Sequence, residues 1–110
     1  MTEQTAEHEL DLRADHLDIV RQILSRRLPQ HEVWAFGSRT QGTAKPYSDL
    51  DLAIISSQQL DMDVLAALSD DFSVSELPFK VDIVDWATTS GAFRAIIARD
   101  KVAIQGAGRP

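Results

Sequence analysis

The sequence predicts an α/β (α+β) fold: a small mixed β-sheet of about four strands with helices packed on it. Three observations predict it. Apolar residues recur with helical spacing in some segments and crowd into short strand-like runs in others, in the order α-β-β-α-β-α-β. A chain of 110 residues has room for one domain and one core, so residues 1–110 are read as a single domain with its core over about 12–105. Hydrophobic residues make up 44% and charged residues 25%, ordinary values for a globular protein and far from those of a disordered chain.

Each element follows from local chemistry. Leu17, Val20, Leu24 and Leu28 lie on one helical stripe, with Asp15 as the expected cap and Pro29 as the stop. Val33 to Phe36 is an apolar run ending at Gly37, which predicts a strand. Residues 38–48 hold no apolar run and read as a loop, with room for a helical turn after Gly37 and with Gly42 easing the bend. Leu50 to Ile55 form the second strand, headed by Asp49 and Asp51. Asp61 to Asp63 open a second long helix through Val64, Leu65, Leu68 and Phe72, favoured there by the helix dipole. Phe79 to Val84 predict a third strand after Pro78. Thr88, Thr89 or Ser90 caps a helix through Phe93, Ile96 and Ile97, and residues 101–104 close the fold as a last strand. Residues 1–10 are polar and are expected to fray.

Composition also excludes functions. No cysteine is present, so disulfides, thiolate metal sites and a cysteine nucleophile are out. The 11 basic and 17 acidic side chains give a net charge of −6, which argues against nucleic acid or an anionic membrane as partner. No apolar run approaches the roughly 20 residues that span a bilayer, and the polar start does not resemble a signal peptide. A cytoplasmic location is expected.

The chemistry concentrates in residues 34–55, which reduce to Gly37-Ser38, ten residues, then Asp49-x-Asp51. Side chains two apart at a strand start share a face. Two carboxylates held close repel each other, and a hard divalent cation such as Mg²⁺ or Mn²⁺ relieves that repulsion. A glycine at a strand end permits a tight turn, and a helical turn beginning at Ser38 offers free N–H groups and a hydroxyl to a phosphate. Arg39 is expected to add charge-assisted hydrogen bonds to it. A third acid, Asp82, interrupts an apolar strand, where an unpaired carboxylate is costly unless a cation or proton gives it a role. Asp85, three residues on, falls on the other face and is expected to end the strand or cap the next element. The pair Asp61 and Asp63 opens a helix, where residues two apart diverge by about 200°, and is read as structural. His8, His16 and His31 stand at no ligand spacing from acids. Trp34, Phe36, Phe72, Phe79, Trp86 and Phe93 are assigned to the core. Tyr47, in the loop before the acids, is in a position to touch a base or an acceptor.

This pattern resembles the nucleotidyltransferases of the DNA polymerase beta superfamily, in their minimal stand-alone form. The resemblance spans about residues 12–105. It implies that Gly37 and Ser38 hold a triphosphate, that Asp49, Asp51 and Asp82 bind Mg²⁺ or Mn²⁺, and that Asp82 helps deprotonate an acceptor hydroxyl. The implied reaction transfers a nucleoside monophosphate, AMP from ATP, with release of pyrophosphate. Larger members carry a helical domain that completes the acceptor site. A chain of this size is therefore expected to work with a helical partner, either a HEPN-type toxin offering a tyrosine or a subunit holding a small molecule. A non-catalytic binding antitoxin is the alternative of a different class.

Overall fold

Pro29 forces the chain out of its first helix, and the apolar run after it becomes one of the two inner strands of the sheet. The computed structural model describes residues 9–106. In chain order these form α1 (Ala14–Arg27), β1 (Glu32–Phe36), the single turn α2 (Ser38–Gln41), β2 (Leu50–Ile55), α3 (Met62–Ser73), β3 (Val81–Asp85), a 3₁₀ turn (Trp86–Thr88), α4 (Gly91–Asp100) and β4 (Val102–Gln105). The expected mixed four-strand sheet is present, in the spatial order β3-β2-β1-β4.

Strand direction decides where the site lies. β1 is antiparallel to both β2 and β4, while β2 and β3 are parallel. β1 therefore runs against the other three strands. Its C-terminal end meets the N-terminal ends of β2 and β3, with Phe36 paired to Asp51 and Asp51 paired to Asp82. The parallel β2–β3 pair requires a crossover, and α3 supplies it.

Alternation along the strands divides the apolar side chains between two faces. On one face Val33, Ala35, Leu50, Leu52 and Ile54 pack with Val20, Ile23, Leu24 and Leu28 of α1 and with Leu68 and Phe72 of α3. On the other, Phe36, Ala53 and Ile97 of α4 form a smaller cluster, flanked by Trp34, Ile55, Val84 and Trp86. Asp51 and Asp82 are two residues before Ala53 and Val84, so they share this second, thinly covered face.

Several local expectations change. Asp15 does not cap α1: Arg13 stands at the cap position, and its guanidinium grips the Asp15 carboxylate at 2.7 and 3.0 Å. Asp61 caps α3 by accepting from the Asp63 N–H, and Ser90 caps α4 by accepting from the Phe93 N–H. Most of the segment expected to fray lies outside the described residues, as does His8, but Leu10 packs against the larger core. Phe93 is 38% exposed and so is not the core residue the sequence suggested. No helix among the described residues is long and apolar enough to cross a membrane.

Candidate active site

Gly37 ends β1 with φ +84° and ψ −152°, backbone that an L side chain rarely adopts. This conformation turns the chain sharply from strand into α2. The turn is braced by the Thr40 N–H and hydroxyl, both donating to the Gly37 carbonyl at 3.0 Å. The missing side chain matters as much as the dihedral. A Cβ at position 37 would collide with Asp51 Oδ2 and sit 3.3 Å from its Cγ. The turn and the Asp51 carboxylate thus lie in direct contact.

The acids gather through the strands. Asp51 and Asp82 are register partners across parallel β2 and β3, and Asp49 precedes Asp51 by two residues. Burial pushes the Asp51 carboxyl up to about 6, helped by the negative charges of Asp82 and Asp49. Asp82 is less buried than its apolar neighbours in sequence suggested: its side chain is 45% exposed, with Oδ1 3.7 Å from Lys80 Nζ. Among the described residues no three acidic or histidine side chains already close round one point. The arrangement is a set of neighbouring carboxylates beside the Gly37 turn, partly open toward solvent.

Those residues fit a hard divalent cation. The donors are all carboxylate oxygens, and the negative charges of Asp82 and Asp49, which add to burial in raising Asp51, are charges a cation would offset. The absence of a side chain at Gly37 is what lets the Asp51 carboxylate lie against the turn.

Arg39 departs from expectation. It is 5% exposed, and its guanidinium donates to the carbonyls of Ser48, Pro46 and Asp11 at 2.9 to 3.1 Å. It also lies 4.3 Å from the centre of the Phe79 ring. Instead of gripping phosphate it ties α2 to the loop that delivers Asp49. Asp85 ends its strand as expected. It caps the 3₁₀ turn and accepts from Ala87 N–H, Leu60 N–H and the Ser56 hydroxyl. Tyr47 is 75% exposed, on a cleft with Arg13, His16 and Lys45.

A tight glycine turn at the end of one strand, set against acids on the next two, is the arrangement expected of a nucleotidyltransferase. Residues 19–107 match the family model described as polymerase beta nucleotidyltransferase, and the chain belongs to that family. It is 53% identical over 97 residues to a probable protein adenylyltransferase, MntA, of Haemophilus influenzae, covering 88% of this chain and 85% of that one. Among solved structures, it resembles the toxin–antitoxin crystallised with AMP-PNP, at 25% identity and a TM-score of 0.70, over 82% of this chain and 73% of the other. It also shares the fold of a chain in the complex of tri-AMPylated Shewanella oneidensis HEPN toxin with its MNT antitoxin. There the identity is 22% and the TM-score 0.67, over 86% and 73% of the two chains.

Proposed function

We propose that this chain is a protein adenylyltransferase of the antitoxin type. It transfers AMP from ATP to a tyrosine hydroxyl of a HEPN-type toxin in the cytoplasm. The observation that carries the reading is the contact between the Gly37 turn and the Asp51 carboxylate, with Asp82 in register beside it. The 53% identity to the H. influenzae adenylyltransferase supports the choice of acceptor class.

Ser38 and the amides of the turn bind the triphosphate oxygens. Asp49, Asp51 and Asp82 would hold Mg²⁺ or Mn²⁺, which when bound supplies charge neutralisation at the phosphates and a Lewis acid at the reacting phosphorus. Asp82, whose side chain is 45% exposed, accepts the proton from the acceptor hydroxyl. The hydroxyl oxygen forms a bond to the α-phosphorus, the bond from that phosphorus to the α–β bridging oxygen breaks, and pyrophosphate leaves. Gly37 acts by having no side chain, which lets the phosphate and Asp51 approach each other.

The test is incubation of the chain with its cognate toxin, ATP and Mg²⁺, read by intact mass. The toxin gains one or more AMP groups, and the Asp49→Ala, Asp51→Ala double variant transfers none. Transfer by the double variant would overturn the assignment of the acids. Neutralisation of the toxin with no gain in mass would make the chain a binding antitoxin.

A further inference from the structure

α4 leaves two large apolar side chains in water, Phe93 at 38% and Ile96 at 42% exposure. They are three residues apart and so share one flank of the helix. That flank borders the acids. The Phe93 ring packs edge-to-face on Phe36, with centroids 5.7 Å apart, and Phe36 is the register partner of Asp51. The opposite flank is anchored elsewhere: Arg94 donates to the Trp86 carbonyl at 2.7 and 3.0 Å and lies over the Trp86 ring. Between the two flanks, Ile97 is fully buried against the sheet.

Single exposed apolar side chains are ordinary, but a pair on one flank beside a reaction centre is a contact surface. We infer that the Phe93–Ile96 flank of α4 is the surface on which the acceptor-bearing protein docks, with Phe93 beside the phenol ring it presents. This rests on the adenylyltransferase reading above. The acceptor oxygen must come within bonding distance of a phosphorus held at Asp51 and Asp82. Both acids lie on the face that α4 crosses, so a protein delivering a hydroxyl there covers the adjoining side of α4. A nucleotide base could stack on Phe93 alone, but Ile96 offers it no aromatic face. Two apolar side chains at i and i+3 match the side chains of a protein helix laid against them.

The experiment uses the full chain, its cognate HEPN-type toxin and Mg²⁺-ATP, with variants Ile96→Asp and Phe93→Ala. Three quantities are read: toxin affinity by calorimetry, KM for toxin and for ATP in AMP transfer, and ATP affinity by a fluorescent analogue. Each variant weakens toxin binding about tenfold or more and raises KM for toxin, while ATP affinity stays within about twofold. Ile96 is the more exposed, so Ile96→Asp carries the test if Phe93→Ala lowers the melting temperature. Unchanged toxin affinity in Ile96→Asp overturns the docking surface. A loss of ATP affinity in Phe93→Ala with toxin binding intact makes the flank a base subsite and also overturns it. If the wild type binds toxin but transfers no AMP, weakened binding in Ile96→Asp still supports the surface while the adenylyltransferase reading fails.

Discussion

Gly37 and Asp51 occupy each other's space: the position where a Cβ would stand on residue 37 is filled by Asp51 Oδ2. β1 and β2 run antiparallel with Phe36 opposite Asp51, so the turn after Phe36 has nowhere else to go. Gly37→Ala therefore meets two penalties, the collision and the strain of a side chain at φ +84°. The expected outcome is a loss of about 1–3 kcal/mol in stability and a fall in AMP transfer of a hundredfold or more. Denaturant unfolding and single-turnover transfer measure the two. Asp51→Gly in the same background relieves the clash but does not restore activity, because the carboxylate is gone.

Asp51 sets a pH dependence with a definite sign. Its carboxyl is raised from 3.8 to about 6, by burial first and then by Asp82 and Asp49. The folded state thus holds the proton more tightly than the unfolded chain does. The stability this contributes is fully present below about pH 4 and is lost as the pH rises through about 6. In the absence of divalent cation, wild-type protein should lose melting temperature across that window relative to Asp51→Asn. Protons and cations compete for the same oxygens, so Mg²⁺ should raise the melting temperature of the wild type more at pH 7.5 than at pH 5. Thermal melts at the two pH values, with EDTA or with Mg²⁺, check this. An equal Mg²⁺ effect in Asp51→Asn would remove Asp51 from the cation site.

Arg39 is a clamp, and its removal should act on folding before chemistry. Truncation to Ala strips hydrogen bonds from the carbonyls of Ser48, Pro46 and Asp11 and removes the cation beneath Phe79. Leaving such carbonyls unpaired in a buried site costs about 2–4 kcal/mol. Arg39→Lys does little better, since an ammonium cannot reproduce a planar fork aimed at several carbonyls. In both variants KM for ATP should change less than kcat, because the Ser48–Asp49 backbone loses its anchor while the Gly37 turn stays. A rise in KM for ATP with stability unchanged would restore the phosphate-binding role that the sequence suggested.

The Arg39 outcome shows where sequence stops being legible. Ser38 and Arg39 are adjacent in the chain, but neighbours on a helical turn point about 100° apart. One can face the acids while the other passes under the loop, and spacing alone does not say which. The Gly-Ser and Asp-x-Asp pair is legible because its meaning is local: a turn after one strand and a face of the next. Asp82 is legible as an acid out of place in an apolar run, but its pairing with Asp51 depends on the strand order β3-β2-β1-β4, which no local pattern encodes. Asp15 carries a good cap signal, yet the Arg13 guanidinium takes its carboxylate. Phe93 carries the periodicity of a core residue. In the fold its ring packs edge-to-face on Phe36 and still stays 38% exposed, because nothing in the local pattern tells a residue at the rim of a helix–sheet contact from one at its centre.

Asp85 supplies a pH limit of the opposite sign on the same strand as Asp82. Burial pushes its carboxyl up, but hydrogen bonds from the Leu60 N–H, the Ser56 hydroxyl and the Ala87 N–H outweigh burial and hold it below the usual carboxylate range. A depressed folded-state value contributes stability that is present above the unfolded pKa of about 4 and is lost as the pH falls through and below it. Asp85→Asn keeps the shape but offers one acceptor oxygen where the carboxylate offers two, so one of the three donors goes unpaired in a residue that is 8% exposed. The expected cost is about 1–3 kcal/mol near pH 7. That cost shrinks as the pH falls below about 4, since protonation weakens the wild-type carboxylate in the same way. Urea unfolding of both proteins between pH 3 and pH 7 measures the convergence. Because Asp85 faces the core side of β3 while Asp82 faces the site, activity per folded molecule should remain close to wild type in Asp85→Asn. A large loss of kcat in fully folded variant would mean that the end of β3 bears on the chemistry as well as on the fold.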